Sequence, residues 1–185
     1  MATDSDSAAT SDATSALRDL VTDHFGRIRE LVHELTDGLT EAVGAYRPDA
    51  DANSIDWLVW HLSRVQDDHV AGLAGTEQVW TAGGWHRRFG LPFPAEAHGY
   101  GQSSEDVAAV RVPADVLEGY HAAVHEASLA YAERLTADEL ARVVDTNWDP
   151  PVTAAVRLVS LIGDCLQHAG QAAYVRGLAQ RAGIE

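Results

Sequence analysis

Residues 161–175 read LIGDCLQHAGQAAYV, and the placing of apolar and polar residues in this stretch decides how the chain folds. Leu161, Asp164, Cys165, His168, Ala172 and Val175 occupy the i, i+3/i+4, i+7 positions of one helical face. The stretch therefore reads as a helix with a carboxylate and an imidazole on the side that should turn inward. An unpaired buried carboxylate is costly, and a bound cation removes that cost. The i, i+4 spacing stacks Asp164 and His168 one turn apart, as metal-binding helices do. An earlier helical run carries another histidine, His61, on its own apolar face. His61, Asp164 and His168 are thus a candidate ligand set drawn from two helices.

Around this stretch the helical period runs from the residues after Pro150-Pro151 to about Arg181, with Gly163, Gly170 and Gly177 at one heptad position. Such spacing suggests close helix approach. A first helix is predicted from Ser15 to about Tyr46, where Pro48 forbids continuation. A second starts at the N-cap candidates Asn53 and Ser54 and runs through Ile55, Leu58, Leu62 and Val65 to about Gly75. A third extends from about Ala114 through Leu117, Tyr120, Val124 and Tyr131 to Leu135. Between the second and third, residues 76–113 mix Gly83, Gly84, Gly90, Pro92, Pro94, Gly99 and Gly101 with Trp80, Trp85, Phe89, Phe93 and Tyr100. That composition breaks helices, and a loop of such length in a compact domain is usually functional. The expectation is an all-α four-helix bundle with a long crossover between helices two and three, and no strands are needed to account for the chain. Residues 1–13 hold no large apolar side chain after Met1 and read as a frayed tail, leaving 14–185 as one domain.

The chain has 185 residues, enough for one sizeable core, and a formal charge of −15 from 28 acids against 13 basic residues, all arginine. Polyanions would be repelled, so neither nucleic acid nor an anionic membrane surface is an expected partner. The single cysteine, Cys165, excludes an internal disulfide. No basic segment precedes an apolar one at the start and no run approaches a membrane span, so the expected location is the cytoplasm. Alanine-rich helix faces and the glycine repeat permit a homodimer without requiring one.

Several constellations could carry chemistry. His61, Asp164 and His168 offer two imidazole nitrogens and a carboxylate to zinc or a similar ion, leaving a position open for water or substrate. The alternative is a hydrogen-bonded core network with no metal. Glu30-x-x-His33 and Glu118-x-x-His121 match the Glu-x-x-His repeats of di-iron bundles, but the helping glutamates are missing, and both read as solvated faces. His121 with His125 reads as a surface pair. Cys165, beside Asp164, reads as a small core residue rather than a nucleophile. In the crossover, Trp85, Arg87 and Phe89 could bind an anionic or sugar-bearing cofactor above an open metal position, or could equally cap the bundle. Trp148, in the turn Trp148-Asp149-Pro150-Pro151, could fill the same end.

The second-helix sequence Asp56-Trp-Leu-Val-Trp-His61-Leu-Ser-Arg64, with Asp164-Cys-Leu-Gln-His168-Ala-Gly-Gln171-Ala-Ala-Tyr174 on the fourth, resembles the DinB-like superfamily of metal-binding four-helix bundles. The likeness is to the branch of mycothiol-dependent maleylpyruvate isomerase and the mycothiol transferases. It implies a divalent metal, zinc or nickel, held by His61, Asp164 and His168. It further implies a low-molecular-weight thiol such as mycothiol, activated as thiolate at the open metal position and transferred to an electrophilic substrate. Asp164 stands where that branch commonly has Glu, so its carboxylate reaches one methylene less far. The isomerase carries a further C-terminal domain contributing to its site, and this sequence ends at Glu185, so transfer rather than isomerisation is expected. A non-enzymatic, metal-containing stress or scaffold protein of the same superfamily is the competing expectation.

Overall fold

The structure is a computed structural model describing residues 3–185, with side chains from residue 13 onward. Its elements are α1 (Thr3–Thr36), α2 (Glu41–Gly44), α3 (Ile55–Ala74), α4 (Val79–Ala82), α5 (Trp85–Phe89) and α6 (Ser104–Ala109). They continue with α7 (Ala114–Ala132), α8 (Ala137–Ala141), β1 (Val143–Asp145), β2 (Val152–Thr153) and α9 (Ala154–Arg181). The four long helices form the bundle. Packing runs α1 on α7, α7 on α3, α3 on α9 and α9 on α1, which gives their cyclic order. Each contributes a buried stripe to one core: Phe25, Ile28 and Val32 from α1, Leu58 and Leu62 from α3, Leu117 and Val124 from α7, Leu161 and Cys165 from α9. A fully buried side chain of this size contributes about 1.5–3 kcal/mol, so the stripes outweigh the weak propensity of glycine-containing helices.

The helix ends follow local chemistry. Ser54 caps α3 by accepting from the Trp57 backbone N–H, and Gly75 closes it in the left-handed conformation at φ 69°. Thr153 caps α9 by accepting from Val156 N–H. The first helix stops earlier than its apolar period predicts. The Thr36 hydroxyl turns back onto the Val32 carbonyl at 2.9 Å, Gly38 adopts φ 61°, and Leu39 and Val43 belong to a separate turn capped by Thr40. Its helical backbone also begins at Thr3 rather than Ser15, inside the 1–13 segment read as a frayed tail; residues 1–2 and the side chains of residues 3–12 lie outside the described residues.

Three further expectations are corrected. The α8–α9 connection contains a short antiparallel ladder, Val143 opposite Thr153 and Asp145 opposite Val152, where no strand was expected. Trp148, at the tip of that hairpin, is 67% exposed and fills nothing. Among the described residues, the glycine heptad of α9 mediates no close approach to another helix of the chain. A Cβ at Gly163 or Gly170 would meet nothing within 4 Å, and one at Gly177 would meet only Arg181 of its own helix. The crossover is ordered by three short helices, α4 to α6. Among the described residues no helix is long and apolar enough to cross a membrane.

Candidate metal centre

His61 lies near the middle of α3, and Asp164 and His168 lie one turn apart on α9; the close packing of these two helices brings the three together. One ligand atom from each lies within 4.8 Å of the other two, the one such group of His, Cys, Asp or Glu among the described residues. The rings of His61 and His168 meet edge to face at 4.7 Å between centroids. Asp164 Oδ1 is 3.5 Å from His168 Nε2, while its Oδ2 is buried with no hydrogen-bond partner. A buried carboxylate oxygen without a donor is expensive, and a cation is the partner whose chemistry fits it.

Both imidazoles are held in the orientation a metal ligand needs. His61 Nδ1–H donates to the backbone carbonyl of His98 and His168 Nδ1–H donates to Gln171 Oε1 at 3.0 Å. Each bond directs the Nε2 lone pair into the cluster, the usual way a protein selects the ligating nitrogen. Trp57 stacks on His61 at 4.6 Å and is itself anchored by its indole N–H to Gln102 Oε1 at 2.7 Å. The loop crossing His61 is tight: Gly99 has φ +101°, and a Cβ there would stand 2.6 Å from His61 Nδ1 and 3.0 Å from Trp57 Cζ2.

The electrostatics suit a cation at His61 and Asp164, whereas His168 leans toward its protonated form and must lose a proton to become a ligand. Burial pushes the His61 pKa below its ordinary value, keeping the ring neutral near pH 7. The hydrogen bond to Asp164 raises that of His168. Burial alone would raise the Asp164 carboxyl, but the His168 hydrogen bond and the charges of His168, His61 and His69 outweigh it and hold Asp164 low. The site is open on the α9 side, where the side chains of Asp164 and His168 keep 38% and 18% of their exposure.

The other constellations do not assemble. Glu118 accepts from Arg29 and His33 across the α1–α7 seam, so the two Glu-x-x-His runs pair with each other instead of sharing ions. His121, expected on the surface, is fully buried, its Nε2 hydrogen-bonded to Gln66 at 3.3 Å and its pKa pushed down to about 3 by burial. His125 is half-buried beside it. The Cys165 thiol is buried, donates toward the Leu62 carbonyl at 3.6 Å and is pushed far up by burial, so it stays protonated. Trp85, Arg87 and Phe89 lie on α5, which packs on α4 and α7 rather than on α9. Phe89 is in the core against Trp80 and Tyr120, Trp85 is half-buried near Tyr120, and Arg87 is exposed. The periodicity could not reveal His98, Gln102 or Gly99, because they act from the crossover. The one signal was the His98-Gly99-Tyr100-Gly101 run, where two glycines so close imply positive φ.

A family profile described as Mycothiol-S-transferase matches residues 16–180. The chain belongs to this family. Its membership and the His/Asp/His cluster together support metal-dependent thiol-transferase function. Among solved structures, the chain is similar to one described as the conserved protein of locus from Enterococcus faecalis, at 33% identity and a TM-score of 0.80, over 85% of this chain and 94% of that one. No curated protein matches.

Proposed function

We propose that this transferase joins mycothiol to an electrophilic small molecule at a centre where His61, Asp164 and His168 hold zinc. What supports the ligand set is that one donor atom each from His61, Asp164 and His168 comes together, with a second, buried Asp164 oxygen that has no hydrogen-bond partner among the described residues. Two neutral imidazoles and one carboxylate suit zinc, and three protein donors leave a coordination position free. Bound there, a divalent ion offset by one carboxylate keeps a net positive charge and supplies the field that favours thiolate over thiol near neutral pH.

The chain's own residues do the rest. The His98 carbonyl and Gln171 orient the two rings, and His168 gives up the proton that Asp164 favours when it becomes a ligand. Trp57 covers one face of His61 and keeps water from it. The partial exposure of Asp164 and His168 leaves a side from which thiol and electrophile can approach, whereas a purely structural ion is normally enclosed by four protein donors.

The test begins with protein purified without an affinity metal. Elemental analysis should find about one ion per chain in the wild type and none in His168→Ala. The same variant should lose mycothiol consumption with a generic electrophile such as a chlorodinitroarene. Unchanged metal content in His168→Ala would overturn the ligand set, and a metal-loaded wild type indifferent to every thiol offered would overturn the transferase reading.

A further inference from the structure

Arg64 follows His61 by one turn of α3, is 1% exposed, and carries a charge that the metal centre does not use. A guanidinium so deep in a core is expensive unless its N–H groups are satisfied. They are, in a way that points to a task. Nη1 donates to Gln78 Oε1 at 2.8 Å and to the Tyr120 hydroxyl at 3.4 Å; Asp67 Oδ2 lies 3.7 Å away, and the Trp80 ring packs 4.9 Å from the guanidinium carbon. The remaining prongs leave this cluster for the crossover: Nε donates to the Ala97 carbonyl at 3.1 Å and Nη2 to the Ala95 carbonyl at 3.5 Å.

The next residue, His98, supplies the carbonyl that takes the His61 Nδ1 proton, and the one after it is Gly99, pressed against His61 and Trp57 at φ +101°. We infer that Arg64 is a positioning residue for His61: by gripping the backbone at Ala95 and Ala97 it places the His98 carbonyl, which fixes the ring's tautomer and aim. The path is short and covalently continuous, so displacing the 95–97 backbone displaces the acceptor with it. Lysine could keep the charge beside Asp67 but not the planar fork that reaches two carbonyls while holding Gln78. Gly99 belongs to the same device, since a side chain there would push the loop off the ring.

This inference rests on His61 being a metal ligand, yet its test can be read without metal. In metal-free wild type, nitrogen-15 spectra of the histidine rings should show His61 as the Nδ1-protonated tautomer. Arg64→Lys and Gly99→Ala should each give a mixture of tautomers and weaken metal affinity about 10- to 100-fold, the usual effect of losing the group that orients a ligating histidine. Tyr120→Phe removes a hydroxyl from the same buried cluster, one that bonds Arg64 and Asp67 rather than the 95–99 backbone. It should lower stability while leaving tautomer and affinity as in the wild type. Wild-type tautomer and affinity in both Arg64→Lys and Gly99→Ala would overturn the positioning role, as would an equal loss in Tyr120→Phe. A wild type that binds no ion, with the tautomer mixture still appearing in Arg64→Lys and Gly99→Ala, would sink the metal reading and keep the positioning one.

Discussion

Asp56 sits in the first turn of α3, 2% exposed, and the hydrogen bond it accepts from the Val112 backbone N–H is a long 3.4 Å. Position 44 must be glycine for it to fit, since a Cβ there would stand 2.3 Å from Asp56 Oδ1. Burial pushes its carboxyl from 3.8 to about 7, with the Val112 bond and Arg111 pulling the other way and Glu41 adding to the rise. A raised folded pKa means that the neutral acid stabilises the fold fully below the unfolded value and that this contribution is lost as pH climbs through about 7. Asp56→Asn should therefore gain on the wild type as pH rises from 4 to 7 and level off above, by at most roughly 4 kcal/mol. Urea unfolding across that range checks it; a constant difference would mean the carboxylate is well solvated in the fold. Asp56 differs from Asp164 in the signal it gave. Asp164 interrupts an apolar stripe beside a histidine at i+4, whereas Asp56 looks like an ordinary first-turn acid, and its burial comes from α2 and the 110–114 segment.

At the scale of elements, the ends of α3 were legible because caps are local: Ser54 and Gly75 act on backbone groups within one turn, whereas the start of α9 was read only from Pro150-Pro151 and its Thr153 cap is a finding of the structure. The end of α1 was not. Leu39 and Val43 keep the helical period, and only Thr36 and Gly38 interrupt it; the helix ends there, with Arg176 of α9 donating to the Glu34, Leu35 and Asp37 carbonyls at its last turn. The glycines of α9 were read as contact points and are open positions instead. Gly163→Ala and Gly170→Ala should each stabilise the chain by about 0.5–1 kcal/mol, since alanine loses less backbone freedom and meets no neighbour. Chemical denaturation of the two single variants decides it. Destabilisation of both would place another helix against that face of α9.

For the whole molecule, a charge of −15 means that the folded chain repels itself. Its exposed ion pairs, such as Arg27 with Asp23 and Arg142 with Glu139, are single bridges of the kind worth little in water. Screening the net repulsion should therefore outweigh weakening the pairs. Raising sodium chloride from about 0.05 M to about 1 M should raise the melting temperature by a few degrees, and a fall would show that the bridges dominate.

The amino-acid order alone determined that the chain makes four amphipathic helices, that the crossover breaks them, and that His61, Asp164 and His168 are the polar intruders on two apolar faces. These follow from period and local capping, which need no knowledge of neighbours. Tertiary structure alone decided which helices are adjacent, that His121 is buried while Trp148 is not, and that the crossover returns over α3 to give His61 its acceptor. The reason is physical: burial and hydrogen-bond partners across the bundle depend on how separate segments dock, and positions such as Arg64, His98 and Gly99 acquire their roles only where segments distant in the chain touch.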